Sequence, residues 1–112
     1  MPERGRRRRR GLLAAGLALL ALGGGASAGE VTGPRAGELE RLVRQDCGSC
    51  HGMRLSGGLG PDIRGPALAA IPRGTLAAII LDGLPGTAMP PWRSLISEED
   101  AAWIAEYLKS AE

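Results

Sequence analysis

The 112-residue sequence contains no Phe, only two Trp and one Tyr, and a single His. A chain of this size buries only about 60% of the surface that it exposes when unfolded, and small domains usually need a further source of stability. Because bulky aromatic side chains are scarce, side chains alone underfill the interior of such a domain. We therefore expect another group to complete the core.

The sequence also lacks an apolar run long enough to cross a membrane. The run at residues 12–22 has 11 residues, against roughly 18 or more in a membrane-spanning helix. It follows the arginines Arg6–Arg10 and precedes Ala-Ser-Ala at 26–28. These three parts predict a cleaved secretory signal peptide over residues 1–28, with no stable membrane insertion afterwards. The pair Arg9-Arg10 leaves twin-arginine export open as an alternative route.

The excess of basic residues belongs to this leader. The full sequence has 14 Lys and Arg against 12 Asp and Glu, a net charge of +2. Six of the arginines and one Glu lie within residues 1–28, so the remaining 84 residues carry eight basic and eleven acidic side chains. The mature chain is therefore acidic, which excludes a nucleic-acid-binding protein.

A predicted helix follows a short polar lead-in over residues 29–35. Three apolar residues lie three and four positions apart, at Leu39, Leu42 and Val43. Since charged residues occupy the positions between them, they predict an amphipathic helix over residues 37–46. We expect Gly33-Pro34 to act as a breaker before this helix, Gly48 to end it, and residues 47–60 to form a glycine-rich loop.

Three further helical segments are predicted. Residues 65–71 predict a short helical turn, and residues 73–82 predict a longer helix ended by Gly83. Ser97, followed three residues later by Asp100, predicts a capping box at the start of the last helix. The apolar face of that helix consists of Trp103, Ile104, Tyr107 and Leu108. No segment predicts a strand, so the expected fold is all-α, with three to four short helices.

The segment Cys47-Gly48-Ser49-Cys50-His51 carries the chemistry. Two cysteines three residues apart, with His directly after the second, match the pattern of c-type haem attachment. The two thiols can add to the two vinyl groups along one edge of the porphyrin, and the next imidazole can then reach the iron. We predict one covalently attached haem c, held by Cys47 and Cys50, with His51 as an axial ligand. Export agrees with this prediction, because covalent attachment follows export.

Other interpretations of Cys47 and Cys50 are a structural disulfide, a thioredoxin-like redox pair and a zinc site. A thioredoxin-like pair expects a βαβ context, which this sequence does not predict. A zinc site requires four ligands, and the sequence offers only His51 besides the two cysteines. Haem attachment is therefore the favoured interpretation.

The second axial position requires a ligand other than histidine, because His51 is the only His. Met is the common partner in cytochromes c, where it raises the reduction potential. Met53 is only two residues from His51, too close along the chain to reach the opposite face of the ring. Met89 lies in the irregular, proline-braced segment 86–92, and we predict it as the second iron ligand. The alternative is that Met89 fills a gap in the core.

Two residues near this site, Pro61 and Trp92, each have two alternative roles. The carbonyl of Pro61 can accept the Nδ1–H of His51, a bond that would orient the imidazole and tune it as a ligand. An ordinary turn at Pro61 is the alternative. Trp92 is expected to pack near the haem and exclude water, or to serve in core packing alone.

With these motifs, residues 36–108 resemble the class I cytochromes c. The matching parts are a first helix ending in Cys47–His51, then Gly60-Pro61, Met89-Pro90 and a last helix. The resemblance implies a class I cytochrome c domain over residues 36–112, with His51 and Met89 as axial ligands and the first and last helices packed together. Scarce aromatics leave the contact between those helices dependent on Trp103 or Tyr107.

Two segments resemble one subgroup more particularly. Residues 47–61 and 80–92 are similar to the NirC-type cytochromes, also called cytochrome c55X, of denitrification gene clusters. This resemblance implies a periplasmic mono-haem protein that donates single electrons to cytochrome cd-type nitrite reductase. The alternative that it implies is an accessory factor in maturation of the d-type haem of that reductase.

The two predicted iron ligands determine which activity and which partner we expect. With His51 and Met89 both on the iron, no coordination position is open to a substrate, so we expect no catalytic residue and no enzymatic activity. A gas or redox sensor with a labile Met89 is a third interpretation. We expect a monomer whose partner, nitrite reductase or another periplasmic redox protein, docks at the haem edge. Arg54, Arg93 and Lys109 then lie at the rim of that contact or are merely solvated.

Overall fold

The computed structural model of the protein describes residues 30–112. Its helical elements are α1 (Pro34–Leu42), a π-helical turn (Val43–Cys47), α2 (Gly48–His51), α3 (Gly65–Leu68), α4 (Arg73–Asp82) and α5 (Glu98–Lys109). The described part contains no strand, in agreement with the all-α prediction. The predicted signal peptide lies outside these residues and stays a prediction. Within residues 30–112, no helix combines the length and the apolar character that a membrane crossing requires.

Helix α1 begins earlier than predicted. Pro34 is its first residue, and Gly33 precedes it with φ 55°. Proline suits this place because the first helical positions have no intrahelical acceptor for an N–H, and because its fixed φ is already helical. The pair Gly33-Pro34, predicted as a breaker before the helix, therefore starts it.

The prediction that Gly48 ends the first helix is wrong. Gly48 has φ −60° and ψ −28°, and the helical backbone continues through the π-helical turn and α2 as far as His51. The helix ends at Gly52, where φ is 92°. Glycine costs a helix only about 0.5–1 kcal/mol, so its presence alone does not end one. The predicted loop consequently begins after His51.

The later helices follow the sequence pattern more closely. Helix α4 has the predicted bounds, and Gly83 ends it with φ 70°. Helix α3 lies within the predicted segment 65–71 but is shorter. The capping box of α5 is confirmed: Ser97 Oγ accepts the N–H of Asp100 at 3.0 Å, and Asp100 Oδ2 accepts the N–H of Ser97 at 3.0 Å.

The core contains no fully buried aromatic side chain in the described part. Its buried apolar residues are Leu39, Val43, Leu55, Leu68, Leu76, Ile80, Leu81, Ile96, Ala101, Ile104, Ala105 and Leu108. Trp92, Trp103 and Tyr107 are partly buried and pack against this cluster. Helix α5 lies at its centre and contacts α1, α3 and α4. The scarcity of aromatic side chains in the sequence is therefore also found in the buried core.

Polar contacts join α5 to the other elements. At its start, Asp100 accepts hydrogen bonds from Nε and Nη2 of Arg35 on α1. Near its end, Lys109 Nζ donates to the carbonyls of Leu68 and Ile71. Tyr107 donates its hydroxyl to Glu40 on α1 at 3.3 Å. Tyr107 thus joins the first and last helices through its hydroxyl.

Candidate functional site

Cys47, Cys50 and His51 lie on one continuous helical segment. Cys47 is the last residue of the π-helical turn, and Cys50 and His51 end α2. Residues three apart on a helix face the same side, so the two thiols lie along one face. Both cysteines are free, Cys47 half-buried and Cys50 exposed. The structure therefore holds no Cys47–Cys50 disulfide.

The two thiols have different surroundings. Burial, and secondarily the carboxylate of Asp46, raise the pKa of the Cys47 thiol from 9.0 to about 11. The thiolate is the nucleophilic form of cysteine. Burial therefore favours the protonated, less nucleophilic form of the Cys47 thiol.

His51 has one ring nitrogen fixed by the backbone. Its Nδ1 lies 2.8 Å from the carbonyl oxygen of Pro61. A carbonyl can only accept, so Nδ1 donates the hydrogen and the neutral ring keeps a lone pair on Nε2. This is the tautomer in which Nε2 can bind a metal. The predicted contact between His51 and Pro61 is present.

Gly60 lies directly against the imidazole. A Cβ at this position would stand 2.8 Å from both Cε1 and Nδ1 of His51, closer than non-bonded atoms approach. The N–H of Gly60 also donates to the carbonyl of Cys50 at 2.7 Å. The absence of a side chain at Gly60 thus allows the loop to close over His51 and bring Pro61 to Nδ1.

Met89 lies in a separate segment that follows α4. We name residues 83–91 the Met89 loop. The carbonyl of Met89 accepts the N–H of Leu84 at 3.3 Å, and its N–H donates to Thr87 Oγ1 at 3.2 Å. The Thr87 hydroxyl itself donates to the carbonyl of Leu84 at 2.7 Å. Both backbone groups of Met89 are therefore bonded within the loop.

The residues after the Met89 loop anchor it to α4. The N–H of Trp92 donates to the carbonyls of Ile80 and Leu81 at 3.2 and 3.0 Å. The guanidinium of Arg93 donates to both carboxylate oxygens of Asp82, at 2.8 and 2.9 Å. Trp92 is partly buried against the core. The main chain on the far side of Met89 is thereby held to the end of α4.

Sequence reasoning gave Thr87 no role in the site, and it quoted Gly60 as part of a motif without predicting its contact with His51. Thr87 stands two residues before Met89 in an irregular segment, where a hydroxyl commonly bonds to nearby backbone groups. The position of Thr87 in the sequence therefore indicated that its hydroxyl could bond to the backbone near Met89. The contact of Gly60 with His51 spans nine residues and depends on the fold, so no local pattern indicates it.

The basic residues predicted at the rim differ in their contacts. Arg93 is paired with Asp82 and Glu98. Lys109 is bonded to backbone carbonyls next to α3 and serves the fold. Arg54 forms no ion pair with any residue in the described range. Of the three, Arg54 has the side chain most available to a partner.

The donor set suits a haem better than a bare metal ion. Nowhere in residues 30–112 do three or more His, Cys, Asp or Glu side chains cluster as a metal site would require. What the chain offers is two unpaired thiols on one helical segment, an imidazole with Nε2 free to bind iron, and a methionine in a braced loop. The residues present fit a covalently held haem.

Comparison with known proteins agrees with this geometry. The family model described as cytochrome C oxidase, cbb3-type, subunit III matches residues 34–108. A cytochrome c55X from Paracoccus denitrificans is 55% identical over 96 residues, covering 86% of this chain and 93% of the relative. A cytochrome c55X from Pseudomonas aeruginosa is 51% identical over 78 residues, covering 70% of this chain and 66% of the relative.

Among solved structures, the c-type cytochrome NirC matches with a TM-score of 0.69 and 48% sequence identity, covering 70% of this chain and 93% of that chain. The chain belongs to the NirC-type cytochromes c. Membership in this family confirms the class I cytochrome c fold and a covalently bound haem c as the cofactor. It also places the chain among the c-type cytochromes of denitrification. The assignment of individual ligands stays a prediction.

A larger protein also shares this domain. The dihydro-heme d1 dehydrogenase of Pseudomonas aeruginosa is 36% identical over 97 residues, covering 86% of this chain but only 18% of that protein. The solved structure of dihydro-heme d1 dehydrogenase NirN in complex with DHE matches with a TM-score of 0.61 and 32% identity. It covers 65% of this chain and 16% of that chain. The shared region is therefore less than a fifth of the dehydrogenase.

Proposed function

We propose that the protein is a periplasmic one-electron carrier. In it, Cys47 and Cys50 would hold haem c through thioether bonds, and His51 and Met89 would be the ligands that the chain supplies to the iron. The observation that carries the proposal is the hydrogen bond from His51 Nδ1 to the carbonyl of Pro61. That bond leaves Nε2 as the basic nitrogen and orients the ring, as histidine ligands of metals require.

The chain's own groups have distinct roles in this proposal. A bound haem c supplies a reversible one-electron iron couple. The Pro61 carbonyl increases the basicity of the imidazole by accepting the Nδ1 hydrogen, and Met89 raises the reduction potential as the second ligand. If the chain supplies both ligands, the iron would have no position for a substrate. Electron transfer without catalysis is the function that this arrangement supports.

The proposed acceptor is cytochrome cd-type nitrite reductase. Support comes from the relatives, which carry the names cytochrome c55X and NirC and belong to denitrification. The test is rapid mixing of the reduced protein with oxidised reductase, followed at the c-type absorption bands of both proteins. Reoxidation that accelerates with reductase concentration is expected. A rate equal to that of spontaneous reoxidation would contradict this acceptor.

The similarity to dihydro-heme d1 dehydrogenase favours a second candidate function. A dehydrogenase that oxidises a dihydro-haem releases two electrons, which two molecules of a one-electron carrier can accept in turn. The protein would then assist maturation of the d-type haem. The test mixes the oxidised protein with such a dehydrogenase and its dihydro-haem substrate, and reduction of the protein is expected only when both are present.

Loss of the protein in the cell distinguishes the two candidates. An electron carrier to the reductase leaves the d-type haem content of that reductase unchanged when the gene is deleted. A maturation partner leaves the reductase deficient in d-type haem. The haem content of reductase purified from the deletion strain therefore decides which function applies.

A further inference from the structure

We propose that the hydroxyl of Thr87 holds the Met89 loop closed and thereby keeps Met89 on the iron. This inference rests on the proposed ligand role of Met89. Thr87 is a positioning residue in it, since its hydroxyl contacts the backbone of Met89 and has no contact with the iron assigned to it.

Thr87 connects the two ends of the loop. Its Oγ1 donates to the Leu84 carbonyl at 2.7 Å and accepts from the Met89 N–H at 3.2 Å. Its own N–H donates to the same Leu84 carbonyl at 3.1 Å. Together with the bond from the Leu84 N–H to the Met89 carbonyl, this side chain holds Met89 close to Leu84. In the described part, no other side chain forms a hydrogen bond with the backbone of Met89.

The backbone of the loop also approaches Met89 closely, at Leu84, whose N–H donates to the Met89 carbonyl, and at Gly83. Gly83 is so close that a Cβ on it would lie 2.6 Å from the Met89 carbonyl oxygen. Beyond Met89, the chain is anchored again by the N–H of Trp92 on Ile80 and Leu81. The loop therefore has two fixed ends, and the Thr87 hydroxyl is the side-chain bond between them.

These contacts bias the ligand equilibrium. In this proposal Met89 leaves the iron when the loop opens, and opening breaks the bond from the Met89 N–H to Thr87. A contact made only in the closed arrangement favours that arrangement by its own free energy. Thr87 is exposed, so water replaces part of the lost bond. A single neutral hydrogen bond of this kind changes an equilibrium by about fivefold.

The experiment measures how readily imidazole displaces Met89 from the ferric protein. Thr87→Val keeps the branched shape but removes the hydroxyl, and it should bind imidazole about fivefold more tightly. Thr87→Ser keeps the hydroxyl and should behave as the unchanged protein. Thr75→Val is the matched control, because Thr75 is an exposed threonine of α4 that should have no effect on imidazole affinity.

The outcomes separate this inference from the proposed ligation. If the unchanged ferric protein lacks the sulfur-to-iron charge-transfer band in the near infrared, Met89 ligation itself is refuted, and the role of Thr87 with it. If the band is present but Thr87→Val binds imidazole as the unchanged protein does, only the role of Thr87 is refuted. A gain equally large in Thr87→Ser or Thr75→Val would also overturn it. Thermal unfolding of each variant checks that the fold is retained.

Discussion

Gly60 is a position where adding one methyl group acts directly on the proposed iron ligand. A Cβ there would stand 2.8 Å from two ring atoms of His51, so Gly60→Ala must move the ring or the loop. We expect a weaker bond to Pro61, a less basic imidazole and a higher reduction potential. Overpacking should also cost about 1–3 kcal/mol of unfolding free energy.

Redox titration and thermal unfolding of Gly60→Ala check this prediction. The matched control is Gly74→Ala, because a Cβ at Gly74 would meet nothing within 4 Å and alanine favours the helix that contains it. Gly74→Ala should leave the potential unchanged and the stability equal or slightly higher. If Gly60→Ala has the potential of the unchanged protein, the contact with His51 does not tune the ligand.

Met89 and Met53 form a natural pair for testing the second ligand. Met53 is 81% exposed, whereas Met89 is half-buried in the braced loop. Met89→Ala should abolish the sulfur-to-iron charge-transfer band and lower the reduction potential, because a thioether ligand stabilises ferrous iron. Met53→Ala should change neither. Visible and near-infrared spectra of the oxidised and reduced proteins give the answer, and a band that survives in Met89→Ala would refute the assignment.

The predictability of the site differs between its residues for a physical reason. Cys47, Cys50 and His51 lie within five consecutive residues, so their spacing alone predicts haem attachment. The bond between His51 and Pro61 was anticipated because a ligating imidazole needs an acceptor for its other nitrogen. The contact of Gly60 with His51 depends on how a loop closes in three dimensions, which spacing does not encode. The bonds of Thr87 are local, and its position two residues before Met89 was an indication that the prediction did not use.

At the scale of the helices, two boundaries that local chemistry determines were predicted correctly, but the start of α1 at Pro34 was missed. The capping box at Ser97 and the end of α4 at Gly83 each depend on a few neighbouring residues. The end of the first helix does not. Gly48 and Gly52 are both glycines, but only Gly52 adopts a positive φ, and the choice between them is made by the loop that must close over His51.

The contact between α1 and α5 predicts a loss of stability in acid. Hydrogen bonds from Arg35, and next the cap at Ser97, hold the pKa of the buried Asp100 below its ordinary value of 3.8. Because the folded pKa is lower than the unfolded one, the stabilisation is complete above about pH 4. It is lost as the pH falls through the folded pKa. We expect Asp100→Asn to cost about 1 kcal/mol at neutral pH, since Asn keeps the cap and Arg35 is partly exposed.

Urea unfolding of the unchanged protein and of Asp100→Asn between pH 7 and pH 2 measures this effect. The difference between them should stay constant down to about pH 4 and shrink below it. Asp62→Asn is the control. Arg64 lowers the pKa of Asp62 to about 2, but this pair joins two residues of the same loop and links no helices. Breaking a pair within one loop should cost less than breaking the link between α1 and α5. Equal losses in the two variants would contradict the role assigned to Asp100.

At the scale of the whole molecule, the scarcity of aromatic side chains makes the stability of the fold depend on the cofactor. The described core consists of aliphatic side chains and alanines alone, and the 84 residues that follow the predicted leader are few for a stable fold. A ligand that binds only the folded state adds its binding free energy to folding. We therefore expect the Cys47→Ala, Cys50→Ala double variant to lack covalent haem and to be largely unfolded, with little helical circular dichroism and no cooperative thermal transition. The protein carrying haem c is the reference.

Two results would contradict this prediction. A double variant with native helix content and a cooperative transition would show that the aliphatic core suffices by itself. Covalent haem found in the double variant would refute attachment at Cys47 and Cys50.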